Sequence, residues 1–367
     1  MPCPFARYHA PRRITRREFV HTTAYAAGAA MLLQCRSSTA PASTTATVSA
    51  VRGTDLASMT RDALDAIGGI DTVVHDGESV FIKPNMVTLP WGVDTDRFGN
   101  GECTKPEIIV AVADECLRAG ASEIVIGDGS QMFTLPWDAA RTLDGSTNLV
   151  REAVRLSERY GRPVRVASLE NDSPGWVDVP STTYLGTIAV SSLVARADRV
   201  ISIPVAKTHS WAQLTLSLKN FVGVTSLERY GTWTGSAWDR GGEFDHSSPR
   251  AIAEIYLDVV AGVRPDLTVV DFSIGLEGDG PGISHGGRTV DVRDRLGAWL
   301  VLASTDLVAA DATAARIMSH DASRITQLTL AHEMRLGEMR EDRIELLGER
   351  LDALQMEWSP ARLRGGG

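Results

Sequence analysis

The chain has 367 residues, 43% of them hydrophobic and 23% charged, with a formal net charge of −9. Residues 1–42 carry six Arg and one Glu, and removing that net +5 from −9 leaves −14 on the remainder. Such acidity argues against a nucleic-acid binder.

The N-terminus reads Thr15-Arg16-Arg17-Glu18-Phe19, followed by a mild, Ala-rich apolar run to Leu33. This is the build of a twin-arginine signal peptide over residues 1–42, with the twin-arginine translocase as the partner during export. The apolar run is shorter than the roughly 20 residues a membrane span needs. Cys35 follows Leu32-Leu33-Gln34 in the manner of a lipoprotein cleavage box, and Ala40-Pro41-Ala42 offers a rival cleavage site. A lipid on Cys35 would be the one attachment to a membrane. The expected location is the periplasm or the outer face of the cell envelope. The Ser, Thr and Ala content makes 43–55 a flexible tether. An α/β domain is expected over 56–323 and a helical tail over 324–367.

After the tether, Val80-Phe81-Ile82 reads as a strand that stops at Lys83-Pro84-Asn85, because Pro84 cannot donate to the ladder. Thr104 with Glu107 three residues on forms a capping box, Pro106 sits in the first turn, and Gly120 closes the helix. Residues 123–126 form the next strand, ending in Gly127-Asp128-Gly129-Ser130. A helical stretch over 148–160 precedes extended Val164-Arg165-Val166, and the strand at 199–203 stops at Pro204 before Lys207-Thr208-His209. The helix at 250–263 leads into a strand ending at Asp271. Asp306 caps a helix over 307–318. Strands alternating with helices predict an α/β fold, with one or more mostly parallel sheets flanked by helices, in one domain or two lobes. The loops at 88–101 and 230–248 are long, rich in Gly, Asp and Trp, and suited to functional lids. Trp91, Trp211, Trp233 and Trp238 fall in loops of this kind, where they either line a cleft or anchor the loop.

Ligands in open parallel sheets bind beyond the carboxyl ends of the strands. The polar residues just past the apolar runs are therefore the candidates: Lys83, Asn85, Asp128, Ser130, Lys207, His209 and Asp271. Lys219 and Asn220 add a polar pair within the otherwise apolar stretch 214–224. Lysines beside apolar runs are costly to bury unless an anion or carboxylates receive them. Lys83 and Lys219, with Asn85, Asn220 and Ser130, are thus expected to hold a small anion. His209, Lys207 and Asp128 are the candidates for proton transfer, since an unperturbed imidazole titrates near neutrality. Asp128, Asp271 and Asp311 offer hard oxygen ligands for Mg²⁺ or Ca²⁺, with Asp271 and Asp311 as the metal candidates. The run 275–282, GLEGDGPG, is flexible enough to wrap backbone amides round an anion.

Four Cys occur, and only Cys103 and Cys116 lie beyond the leader. Without any C-x-x-C spacing, no iron–sulfur cluster is expected. Cys116 shares a helix face with Ile109, Val112 and Ala113, which assigns it to core packing rather than a disulfide.

The segments VFIKPNMV, TKPEIIVAVADECLRAGASEIVIGDGS, ISIPVAKTHSWAQLTLSLKNFVGV, LTVVDFSIGLEGDGPG and LVLASTDLVAADATAARIM, in this order, resemble the domain of unknown function 362. Relatives that carry ferredoxin-like cysteine modules imply redox chemistry, and this chain lacks those cysteines. The family's recurrent Lys-Pro-Asn, Lys-x-His, Ser-Leu-Lys-Asn and Gly-Asp-Gly segments fall on Lys83, Asn85, Lys207, His209, Lys219, Asn220 and 128–130. Two functions suit this pattern: an exported enzyme acting on a small anionic molecule, assisted by a cofactor or metal that the sequence does not name, or a non-catalytic protein that captures an anion or metal.

Overall fold

The computed structural model describes residues 45–91 and 96–364. The predicted signal, Cys35 and the first residues of the tether lie outside the described residues. The strands in chain order are β1 (Ala46–Gly53), β2 (Ser79–Pro84), β3 (Glu123–Asp128), β4 (Val164–Ser168), β5 (Trp176–Pro180), β6 (Thr187–Ser191), β7 (Arg199–Ile203) and β8 (Val205–His209). There follow β9 (Gln213–Thr215), β10 (Thr232–Trp233), β11 (Trp238–Asp239), β12 (Leu267–Gly278), β13 (Gly287–Asp291), β14 (Trp299–Ser304) and β15 (Ile344–Gly348). One 11-stranded sheet runs β15-β1-β14-β12-β7-β2-β3-β4, with β8 and β13 also paired to β12 and β9 paired to β8. From β4 through β3, β2 and β7 to β12 every pairing is parallel. Eleven of the fifteen described strands belong to this one continuous, mostly parallel sheet, while β5 pairs with β6 and β10 with β11 in two small antiparallel sheets.

Successive side chains point to opposite faces of a strand. Val80 and Ile82 accordingly join one apolar cluster and Phe81 the other. Helices Leu56–Ala66, Pro106–Arg118 and Leu149–Tyr160 cover the first face, and Pro249–Val263 and Leu307–Ile317 cover the second. A sheet buried on both faces has one accessible edge of chemical interest, where the parallel strands deliver their carboxyl ends.

Three sequence expectations need correction. The predicted tether is largely β1, whose Val48 and Ala50 are buried between β14 and β15. Its β-branched Thr47, Val48 and Val51 suit a pleated surface better than a linker. The tail is only partly helical: Thr326–Glu333 and Leu351–Leu354 flank β15, which adds in parallel to the edge of β1. Thr104 does not cap a helix, because its hydroxyl donates to the Ile203 carbonyl and accepts from the Asn85 amide, and the helix starts at Pro106. Asp306 does cap the helix from Leu307, its carboxylate accepting the Ala309 amide at 2.9 Å.

The run GLEGDGPG is also not a free anion cradle. Its first half lies within β12, and a Cβ on Gly275 or Gly280 would strike the carbonyl oxygen of Ala206 or Thr208. These two glycines permit the backbone approach that seats β8, with Lys207 and His209, against β12 and the turn that follows it.

Candidate functional site

A cavity of about 400 Å³ opens at the carboxyl edge of the parallel strands. β2 delivers Lys83 and the following Asn85, β3 delivers Asp128, and β8 delivers Lys207 and His209. The short 3-10 helix Lys219–Val224 brings Lys219 and Asn220, while the loops contribute Trp211, Trp238, Arg240, His246 and His285.

Lys83 is buried, with its ammonium 2.5 Å from an Asp128 carboxylate oxygen and donating to the Pro84 carbonyl at 2.8 Å. Burial pushes the Lys83 ammonium down and the Asp128 carboxyl up, and each restrains the other's shift. The second Asp128 oxygen accepts the Met86 amide at 2.6 Å, which fixes the pair to the chain leaving β2. Asn220 Oδ1 accepts from Lys83 and from Asn85 Nδ2, and Asn220 Nδ2 donates to the Lys83 carbonyl and Ser202 Oγ. Asn85 Oδ1 in turn accepts from Lys207 Nζ at 3.0 Å. The two amides thus join Lys83 and Lys207 through neutral groups only.

Lys207 donates otherwise to the Glu102 carbonyl and has no carboxylate partner among the described residues. Burial pushes it down to about 8. Arg240 donates to the Ser130 and Thr225 carbonyls, and burial pushes it to about 10. Lys219, facing the cavity, makes neither a hydrogen bond nor an ion pair through its ammonium among the described residues. Burial, then the nearby charges of Lys207, Arg240 and Lys83, push it to about 7. Lys207, Lys219 and Arg240 thus share one cavity with no carboxylate paired to any of them among the described residues.

His209 Nδ1 accepts the Trp211 amide at 3.1 Å, so the neutral ring carries its proton on Nε2. Burial, then Lys219 and Lys207, hold its pKa well below the usual imidazole range. The expectation of a general acid–base is therefore narrowed: His209 is a neutral hydrogen-bond donor. His246 has the opposite arrangement, with Nδ1 2.6 Å from the Phe244 carbonyl, which leaves Nε2 as an acceptor. Trp211 stands between them, edge-on to His209, His246 and His285 at centroid distances of 5.7, 6.3 and 6.0 Å.

Three candidate residues lie elsewhere. Ser130 donates to the Val87 carbonyl at 2.6 Å and ties two loops together, without lining the cavity. Asp271 pairs with Lys105 at 3.4 Å and accepts from the Lys105 and Ser273 amides and the Ser273 hydroxyl. Asp311 accepts the Ser217 and Leu218 amides, holding the turn that carries Lys219, and burial pushes it up to about 7. Both carboxylates are consumed by internal donors, and the described residues contain no group of three or more His, Cys, Asp or Glu able to hold a metal. Of the four tryptophans, Trp211 and Trp238 line the cavity, whereas Trp91 and Trp233 are exposed. Cys103 and Cys116 are both free and buried.

Sequence reasoning missed Lys105, Arg240 and His246, and it passed over one signal. The chain has four lysines against thirty-three arginines. All four lysines, Lys83, Lys105, Lys207 and Lys219, are at the carboxyl edge of the sheet or beside it, and three of them line the cavity. Where arginine serves nearly every surface cation, the few lysines stand out as positions occupied by a compact ammonium instead of a planar guanidinium. Arg240 is hidden by the same bias, being one arginine among many.

Fold and cavity together define an α/β protein with a polycationic site at the carboxyl edge of a parallel sheet. The chain belongs to the family described as a domain of unknown function, DUF362, whose model matches residues 80–316. It is 28% identical over 285 residues to a thylakoid-associated protein of Synechocystis sp., covering 78% of this chain and 76% of that one. Among solved structures it is similar to the lactate racemase apoprotein of Thermoanaerobacterium thermosaccharolyticum, with a TM-score of 0.34 and 12% identity over 70% of this chain and 54% of that one. A Thermotoga maritima protein gives 0.32 and 11% over 64% and 52%. The chain therefore spans about half the length of these two solved structures.

Proposed function

We propose that this chain is an exported enzyme of the cell envelope that acts on a small anionic molecule held in the Lys83–Lys207–Lys219 cavity. The observation that carries the reading is the set of three basic side chains, Lys207, Lys219 and Arg240, lining one cavity without a carboxylate paired to any of them among the described residues. Lys207 and Arg240 bind the anion's charge, His209 donates from Nε2 to an oxygen of the substrate, and Lys83 with Asp128 braces the strand ends. Fixed donors in a water-poor site stabilise developing negative charge without reorganising, which is what a catalytic anion site requires. An apolar wall from Trp211 and Trp238 suits the carbon skeleton of the ligand.

Sulfate, fully ionised across the neutral range, tests the anion site by calorimetry. Lys219 takes up a proton when a dianion binds, because the anion favours its charged form. Binding is therefore strongest well below pH 7, where Lys219 is charged, weakens by up to tenfold per pH unit above it, and falls more steeply above about 8, where Lys207 also loses its proton. An affinity that stays flat from pH 6 to 9, or no binding at all, contradicts the proposal.

The export part rests on the Arg16-Arg17 leader, and the thylakoid association of the Synechocystis sp. relative supports work at a membrane-bounded compartment. Among the described residues no helix is long and apolar enough to cross a membrane. In cells with a twin-arginine translocase, replacing Arg16 and Arg17 with Lys is expected to leave the chain in the cytoplasmic fraction. Unchanged export would remove the leader from the account.

A further inference from the structure

Lys219 is the one cavity-lining lysine whose ammonium has no acceptor among the described residues: Lys83 has Asp128, Pro84 and Asn220, and Lys207 has Asn85 and Glu102. Its backbone is fixed rather than loose. Asp311 holds the two amides just before it, and Asn220, just after it, is locked into the Lys83 network. The groups facing it are Lys207, Arg240, the Lys83–Asp128 pair, His209 and His246. Lys219 is half-buried, and that burial, then the cations around it, hold its amine down at about 7, so a substantial share is unprotonated near neutrality, the state in which nitrogen is nucleophilic.

We infer that Lys219 is a covalent nucleophile that forms an imine with the carbonyl carbon of a small oxo-carboxylate or other carbonyl-bearing anion. The proposal deepens the anion-site reading and rests on it. Lys207 and Arg240 take the carboxylate, which turns the neighbouring carbonyl toward the Lys219 amine. The nitrogen lone pair forms the C–N bond as the C=O π bond breaks, and the oxygen accepts a hydrogen bond from His209 Nε2. His246 Nε2, an acceptor in its neutral form, takes a proton from the new ammonium and returns it to the oxygen, giving a neutral carbinolamine. A second nitrogen proton follows the same route as the C–O bond breaks, and water leaves. The sum is amine plus carbonyl to imine plus water, with no net proton, oxidant or reductant.

The scarcity of lysine makes the test clean, since amine reagents meet four side chains and the N-terminus. The full chain is incubated at pH 7.5 with pyruvate, and separately with pyridoxal 5′-phosphate as a phosphate-bearing aldehyde, each in the presence of sodium cyanoborohydride. Intact-mass analysis and peptide mapping then locate the reduced adduct. The expected result is one adduct per chain on Lys219 with at least one probe, at least tenfold slower with excess sulfate and absent in Lys219→Met and Lys219→Arg. Both variants are checked for an unchanged far-ultraviolet spectrum and a single cooperative thermal transition, which show that the fold is intact. Sulfate binding without an adduct from either probe overturns the imine and leaves the anion site standing. Failure of both sulfate binding and trapping overturns both. Labelling spread over Lys83, Lys105, Lys207 and the N-terminus, or insensitive to sulfate, also overturns the proposal.

Discussion

Asp128→Ala is expected to lower the unfolding free energy by about 3–5 kcal/mol, measured by urea denaturation at pH 7. Asp128 and Lys83 are 2% and 1% exposed, so neither charge has water to fall back on. Removing the carboxylate leaves the Lys83 ammonium with the Pro84 carbonyl and the Asn220 amide oxygen, and it leaves the Met86 amide without its acceptor. Arg240 then faces Lys83 with less opposing charge. Replacing both members of the pair by apolar residues costs less than this single change, because no orphaned charge remains. A loss below about 1 kcal/mol for Asp128→Ala would mean that the pair is solvated and that the strand ends are not closed around the cavity.

Lys219→Met is expected to do the opposite to stability while removing function. An amine held near 7 in the folded chain and near its ordinary value when unfolded binds fewer protons in the folded state between those two values. Stability of the wild type therefore rises with pH above 7, and below 7 the full cost of burying the charge is present. The Met variant lacks that cost. It should gain on the order of 1–3 kcal/mol at pH 6, within the range seen when buried charges are replaced by apolar groups of similar volume. The gain should shrink toward pH 10. The same variant should lose sulfate affinity by at least tenfold at pH 6.5. A variant less stable than the wild type at pH 6 would show that Lys219 has a partner that stabilises its charge.

Much of the architecture could be read along the chain because proline and glycine punctuate it in a way that tertiary packing does not override. Pro84 and Pro204 end strands where they were expected to, and Asp306 starts its helix. β1 and β15 were harder, since a strand that adds to a sheet edge needs only a few apolar residues, and Thr47-Val48-Ser49-Ala50 resembles a linker in composition. The site was legible as far as strand ends reveal it: Lys83, Asn85, Asp128, Lys207, His209, Lys219 and Asn220 do meet in one cavity. What a sequence cannot state is which carboxylate already has a donor. Asp271 and Asp311 look like free ligands in the chain and are saturated in space by residues 166 and 94 positions away. Nor can it assign the tautomers of His209 and His246, which depend on one amide and one carbonyl.

The most direct measurement uses the four lysines as their own reporters. With ¹⁵Nζ-labelled lysine, the side-chain amine resonances are followed against pH, then against sulfate at pH 7. The account predicts that Lys219 titrates near 7 and Lys207 near 8. It further predicts that sulfate shifts both signals and raises the Lys219 midpoint, while the Lys105 signal stays still. Four lysines all titrating near the ordinary value of about 10.4, with no response to sulfate, would contradict a shared cationic cavity.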